Sequence, residues 1–565
     1  MPRIIPILII AFLLQACAKQ GMPSGGPKDT APPKVLAVTP ENKTTNFNAT
    51  GFSISFDEYV VLKDAENNIL VSPPLKTKPE YRTKGKSIVV RLADSMQSNT
   101  TYIFQFNNAI ADFNEGNLIE SYSYVLSTGS FIDSMSISGK VRDAQLQKPR
   151  EETISVWLFT KEQHATLLQS LNDTSAKPPT PSYATRCNKD GSFAFNYIRP
   201  GNYHIVALVD DDKNMQIGLS ESVAFIDSTV IAVPMKKADS TSADSSLAAR
   251  PIDTSQVTTT VLNIFTPATE RQRLTGSNFT AAGKVRITSL QPLEKPQIVS
   301  PNEEIFWHIN DNRDTITLWT LREKCDSLSL MVSDPTGIND TLRLRWRPKK
   351  GKTGPSLESM QIDKTGMKLS TTKLHYFDTL TLLFSNPINP SRCLSDSTVT
   401  VLRLKDSSLF KCNTICDSGQ MKILIAGHFQ QGENYTLRIP ASTFHDIYGN
   451  ANDSLSSTIN VSKAEEYGNL NLTVDNSSND AIIVELLDEN NKVSQRKTLT
   501  GNGKLEFPHL KPAKYRIRAT IDSNNNGKWD TGNFGKQQQP ERVVFHPQTL
   551  DIRANWDFNE TLTIK

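Results

Sequence analysis

The sequence is short of the features that mark enzymes and nucleic-acid binders. Its histidines, His164, His204, His308, His375, His428, His445, His509 and His546, form no HExxH or comparable ligand pair. No nucleophile elbow, Walker loop or dinucleotide fingerprint occurs. Adjacent carboxylates exist at Asp57-Glu58 and Glu151-Glu152, but neighbours on a strand face opposite ways and cannot share a substrate. No lysine- or arginine-rich run stands out, and the net charge is only +3, which argues against a nucleic-acid partner. The apolar run Ile4 to Leu14 is broken by Pro6 and is too short to cross a bilayer. No segment shows a long, capped helical pattern. A protein without enzymatic activity is the expectation.

What remains is β-rich. With 37% hydrophobic and 21% charged residues over 565 positions, the chain is too apolar for general disorder and long enough for about four or five domains. Short alternating runs separated by turn residues recur, as in Phe52-Ser53-Ile54-Ser55-Phe56 and Tyr102-Ile103-Phe104-Gln105-Phe106, the pattern of β-sandwiches. The stretch Lys236 to Thr260, rich in Ser, Thr, Asp and Ala, reads as a linker over 236–257, or as a long excursion, splitting the chain into halves. Those halves repeat. Asn99-Thr100-Thr101-Tyr102 leading to Asp112 and a Gly/Asn turn matches Asn434-Tyr435 leading to Asp446-Ile447-Tyr448-Gly449-Asn450. Phe193 to Asp210, with Arg199-Pro200-Gly201-Asn202-Tyr203, runs in register with Leu505 to Asp522, with Lys511-Pro512-Ala513-Lys514-Tyr515.

At the N-terminus, Arg3 and the apolar run form an export signal, residues 1–16. Leu14-Gln15-Ala16-Cys17 then resembles the lipobox of bacterial lipoproteins. That resemblance implies a diacylglycerol on the Cys17 thiol, palmitate or a similar acyl chain on its amine, and a flexible tether over 17–29. Two or three chains suffice for stable membrane anchoring. Ala18 behind the cysteine implies the outer membrane, with the periplasmic or surface face left open.

Pro32-Pro33-Lys34-Val35, Ile54-Ser55-Phe56-Asp57-Glu58, Asn99-Thr100-Thr101-Tyr102 and Leu126-Ser127-Thr128-Gly129 resemble the bacterial Ig-like domain of surface-layer proteins and Bacteroidetes lipoproteins. The second repeated unit resembles the transthyretin-like β-sandwich found beside carboxypeptidases, a spacer or binding module in that family. The expected fold is therefore all-β, a tandem of Ig-like and transthyretin-like sandwiches behind a lipoprotein signal. The boundaries are 30–130 Ig-like, 131–235 transthyretin-like, 258–350 β-rich of unclear type, 351–462 degenerate Ig-like and 463–565 transthyretin-like.

Besides Cys17, two sets of candidate site residues stand out. Asp522, Asn524, Asn526, Lys528 and Asp530, with Gly527 at the sixth position, follow the order of a calcium loop, although Asn533 replaces the bidentate Glu. An Asx-rich turn is the alternative reading of the same residues. Cys412 and Cys416 could each pair with Cys393, or remain buried thiols; a zinc site lacks the ligands. No cofactor is expected apart from this possible calcium. The function expected is a cell-envelope scaffold held by its lipid and accessory to outer-membrane proteins, with glycan or peptide binding as the alternative and a hydrolase third.

Overall fold

The computed structural model describes all residues except 1–28, 94–95, 174–175, 211–215, 219, 236–259, 269–271, 282, 322–326, 346–365, 390–398, 418 and 565. The fold is all-β, a tandem of sandwiches, and falls into two compact units. The first is Met1–Pro267 with Thr531–Pro540, and the second is Ala268–Asp530 with Glu541–Lys565.

In the first module of the first unit, one sheet runs in the order Val35–Thr39, Gly51–Phe56, Ser87–Arg91, Glu80–Lys84. The facing sheet runs Ser123–Ser127, Thr101–Phe106, Ile69–Ser72. Alternation does the work here: Phe52, Ile54 and Phe56 point inward from Gly51–Phe56 and are fully or nearly buried against Phe104 and Tyr124. The fourth module, in the second unit, repeats this order. Lys368–Leu369, Leu380–Leu383, Lys422–Ala426 and Asn413–Cys416 face Leu455–Val461, Asn434–Ile439 and Thr400–Arg403. The repeated tyrosines explain why the motif recurs. Tyr102 accepts the Gln97 N–H and Tyr435 the Gln430 N–H, each through its hydroxyl at 2.9 Å, so each side chain spans its sandwich core and holds the loop before its own strand.

The second and fifth modules also share one topology. Met135–Asp143 lies between Ser192–Ile198 and a parallel last strand, Thr260–Ile264. Gly468–Asn476 lies between Gly503–Leu510 and a parallel last strand, Asp557–Ile564. The other sheets are Tyr183–Arg186, Ser155–Phe159, Asn202–Leu208, Val223–Phe225, and Val493–Thr500, Ala481–Leu487, Ala513–Asp522, Val543–Phe545. Tyr203 and Tyr515 each donate a hydroxyl to the carbonyl four residues upstream, Arg199 at 3.0 Å and Lys511 at 3.1 Å, the bond of a tyrosine corner.

This topology corrects the linker expected at 236–257. Val233–Pro234 and Thr260–Ile264 both pair with Met135–Asp143, so the polar stretch joins two strands of one sheet and does not divide the chain. Leu262 and Ile264 complete the second module's core, so residues 260–264 do not open the third module as expected. The approach of the last strand is close: a Cβ on Gly139 would meet the Thr260 carbonyl oxygen at 2.4 Å, which only glycine avoids.

The third module, of unclear type by sequence, resolves into two sheets. In chain order its strands fall as A-B-E-D, namely Leu274–Ala281, Lys284–Ser289, Thr315–Thr320 and Ile305–Ile309, and as C-F-G, namely Gln297–Val299, Ser327–Asp334 and Ile338–Arg345. That is the constant-type immunoglobulin order.

One helix went unread in the sequence. Lys161–Asn172 begins at Thr160, which forms a capping box with Gln163 and buries Leu167.

Candidate functional site

Cys17, the expected lipidation site, lies outside the described residues, as does Cys393. Cys412 and Cys416 flank and end the strand Asn413–Cys416, half-buried against the fourth module's core. Cys187 is a free thiol that burial, then the Asp190 charge, pushes up to about 12, which makes it unreactive.

The Asp522 loop is well defined. Asp522 ends its strand with 2% exposure, and its two carboxylate oxygens accept the N–H groups of Asn526 at 3.0 Å and Gly527 at 2.7 Å. Asn526 Oδ1 accepts the Lys528 N–H at 2.9 Å. The side-chain amides of Asn524 and Asn526 both donate to Asp530 Oδ2. Glu541, which sequence spacing gave no reason to include, closes the loop from the returning chain. Its oxygens accept the N–H groups of Ser523 at 2.8 Å and Asp530 at 3.1 Å. Burial, with Asp530 and Asp522 nearby, raises the Glu541 pKa. A divalent ion here would require Asn524 and Asn526 to turn their oxygens inward. As placed, the side-chain nitrogens of Asn524 and Asn526 face Asp530 and backbone N–H groups bond Asp522, which is the bonding of an Asx-stapled turn. Among the described residues no group of three or more His, Cys, Asp or Glu side chains is arranged to hold a metal.

The adjacent pair Asp57-Glu58 follows the strand Gly51–Phe56 instead of lying on it. Asp57 accepts the Lys34 N–H at 2.8 Å. Burial and then Asp112 raise the pKa of Glu58. The Asp57 carboxylate thus ties the chain at Lys34 to the turn that follows the strand.

A cleft that no motif announces lies where the first and second modules meet. The junction is tied by the Ala184 N–H to Ser72 Oγ at 2.9 Å, the Asp133 N–H to Thr101 Oγ1 at 2.9 Å, and Arg199 to Thr100 Oγ1 at 3.0 Å. Strand alternation puts Ser155, Trp157, Ala184 and Arg186 on one face of the second module, and these form one wall. The other wall is Leu70, Leu75 and Tyr81 of the first module, and the space between is about 290 Å³. Tyr81 is desolvated enough to raise its hydroxyl pKa well above the usual value. Arg186 donates to Asn68 Oδ1 at 3.3 Å and to the Asn67 carbonyl, while its buried Nε has no protein acceptor among the described residues. Burial lowers the pKa of this guanidinium, and the charges of Asp64 and Asp210 oppose that shift. Trp157 is only 3% exposed. The cleft itself needs residues from distant strands and left no local signal.

The fold thus defines a protein of tandem Ig-like and related β-sandwiches. Residues 29–128 match the family described as bacterial Ig-like domain. No curated protein matches the chain. Among solved structures it is similar to the FN1–FN3 domains of chicken CNTN1, at 10% identity, over 50% of this chain and 98% of that one, with a TM-score of 0.14. It is also similar to domains 1–6 of the surface layer protein SbsC, at 10% identity, over 72% of this chain and 64% of that one, with a TM-score of 0.16. A third is the Bacillus anthracis TIE protein, at 9% identity, over 96% and 76%, with a TM-score of 0.14.

Proposed function

We propose that the protein is a lipid-anchored scaffold of the bacterial cell envelope, held in the outer membrane by acylated Cys17 and docking other envelope proteins through its sandwiches. The observation that supports this most is the doubled pair of modules: an Ig-like sandwich followed by one with a parallel last strand, built twice with the same strand order. In the second and fifth modules the first strand lies between the fourth and the parallel last strand, against a sheet of the third, second, fifth and sixth strands, and this order supports the transthyretin-like reading of both. Duplicated sandwiches offer surface and spacing without requiring a catalytic constellation. Metabolic labelling with a clickable palmitate tests the anchor: the wild type should label and Cys17→Ala should not, and equal labelling of both overturns it. Crosslinking and affinity capture from detergent-solubilised envelopes test docking, with one stoichiometric membrane-protein partner expected. A second reading, capture of a glycan or peptide, is favoured by the cleft at the junction of the first two modules.

A further inference from the structure

The two ends of the first sandwich differ in character. At one end the loop after Thr39 meets the departing chain, where Asn46 donates its N–H to the Gly129 carbonyl at 2.8 Å. At the other, Val35 pairs with Phe56 and the chain enters. The entering residues are tied to a loop of the module: the Asn117 side-chain amide donates to the carbonyls of Asp29 at 3.1 Å and Ala31 at 3.2 Å. That loop joins two strands of a small sheet made of Val60–Leu62, Ile110–Asp112 and Leu118–Ile119. Phe113 donates its N–H to the Tyr59 carbonyl at 2.9 Å, so the two residues stand opposite each other just past the ladder, and Leu118 pairs with Ala111. Strand alternation therefore puts Tyr59, Phe113 and Leu118 on one face. They are 60%, 67% and 38% exposed, an apolar patch at the point where the chain from Cys17 arrives.

Lysines border the patch. Lys86 Nζ lies 5.8 Å from the centre of the Tyr59 ring, and Lys63 Nζ donates to the Gly116 carbonyl at 3.3 Å. Rings beside lysines suit the boundary of a bilayer, where the ring sits at headgroup depth and the amine reaches water. As a protein interface the patch is small, on the order of 400 Å² where a stable complex takes about 800 Å² from each partner. A bilayer already tethered to the chain sets no such requirement. Cys17 precedes Asp29 by twelve residues, a span of at most about 40 Å, so a lipid on Cys17 makes contact between this end and the membrane intramolecular. Charge then selects the lipid. Burial, then the charges of Asp112, Asp57, Asp29 and Glu115, raises the Glu58 pKa, and a tip that crowds carboxylates in this way repels an anionic surface.

We propose that this face lies on the membrane that holds the anchor, a zwitterionic lipid surface into whose headgroup zone Tyr59, Phe113 and Leu118 insert. The proposal rests on the lipidation of Cys17 and adds to it which end of the folded chain touches lipid, and through which side chains.

The test reconstitutes the full lipidated chain in phosphatidylcholine vesicles that carry lipids brominated near the headgroup. Tyr59→Trp and Phe113→Trp report from the face, with the emission of wild type subtracted. Phe131→Trp, just past Gly129 and replacing a side chain that is 58% exposed, reports from the other end. Bromine should remove most of the added emission at positions 59 and 113 and little at 131. Phe113→Trp carrying Tyr59→Ser and Leu118→Ser should lose less of its emission, because one ring then holds the face to lipid alone. Sodium chloride should leave the loss unchanged, and replacing part of the phosphatidylcholine by phosphatidylglycerol should reduce it. No loss at 59 and 113, equal loss at all three positions, or a loss that needs phosphatidylglycerol and vanishes in salt overturns the proposal. Flotation of the same vesicles reads the anchor separately. Protein that floats with unquenched reporters overturns this face and leaves the anchor standing, whereas protein that does not float overturns both.

Discussion

Glu485 and Arg518 face each other across paired strands of the fifth module, and their counterparts in the second module are Trp157 and Val206. Aligning Tyr515 with Tyr203 places Arg518 on Val206, and the pairing register then places Glu485 on Trp157. One copy therefore buries an ion pair, with Arg518 Nε and Nη2 reaching the same Glu485 oxygen at 3.0 and 2.7 Å. The other copy buries an indole that walls the junction cleft. The same topology therefore carries an ion pair in one copy and an indole in the other at equivalent positions.

That contrast makes the ion pair a strong test of the fifth module. Arg518 is 6% and Glu485 9% exposed, and removing one partner of a buried pair leaves a charge uncompensated, at a cost of about 3–5 kcal/mol. Glu485→Leu alone should lower this module's unfolding transition by that amount, read from denaturant melts with hydrogen exchange on Ala481–Leu487. Glu485→Leu with Arg518→Met should recover most of the loss. A single variant as stable as wild type would show that the pair contributes little.

The position of the polar stretch predicts an unusual nicking pattern. Proteases should cut first within 236–259, because connections rich in small and polar residues are the preferred sites. The flanking strands both remain paired to Met135–Asp143, so the fragments should separate in denaturing gels yet elute together at the intact size under native conditions. An earliest cut inside a sandwich, or fragments that part without denaturant, contradicts this topology.

Local chemistry decided how far the sequence could be read. Tyr102 and Tyr435, or Tyr203 and Tyr515, stand out because each makes a short-range bond at a fixed offset, and such offsets survive in sequence as motifs. The parallel last strands have no such signature: Thr260–Ile264 meets Met135–Asp143 across more than a hundred residues, and composition alone cannot distinguish a linker between domains from an insertion within a sheet. Thr160 and Gln163 did carry a helix signal, but the helix they begin has little apolar face to support it. The Asp522 turn was visible and its closing residue, Glu541, was not, because that contact depends on where the chain returns.

A pH effect follows from the stacked imidazoles of His164 and His204, whose ring centroids are 3.9 Å apart at 3°. Burial, then the neighbouring His204, lowers the His164 pKa from 6.5 to about 4. The folded state therefore resists a proton that the unfolded chain accepts. The His164 contribution is complete above 6.5, declines as pH falls towards about 4, and is constant below that. His164→Gln should flatten this part of the melting temperature profile relative to wild type. Because the ring is only half-buried, solvent screening should keep the difference modest, about 1 kcal/mol or less. Parallel profiles for the two proteins would contradict the assigned shift.

The Asp522 loop supplies the last prediction, and its geometry sets the sign. Both oxygens of a carboxylate with 2% exposure are engaged by backbone N–H groups, so Asp522→Ala should strand those donors. The loss of hydrogen bonds to a charged group costs roughly 1.5–3 kcal/mol each at most, less whatever water recovers at the loop surface. Asp530→Ala removes only the acceptor shared by Asn524 and Asn526 at the exposed end of the turn, so its effect should be smaller. Millimolar calcium should leave the fifth module's melting transition where chelator leaves it, because the amides of Asn524 and Asn526 would first have to give up Asp530 and turn their oxygens towards the ion. An ion that bound the folded state alone would stabilise it by RT ln(1 + [L]/Kd), about 2.7 kcal/mol at a hundredfold excess over Kd, which is large enough to see. A calcium-dependent rise in wild type that Asp522→Ala, Asp530→Ala and Glu541→Gln all abolish would replace the Asx-stapled turn with an ion site whose final ligand is Glu541.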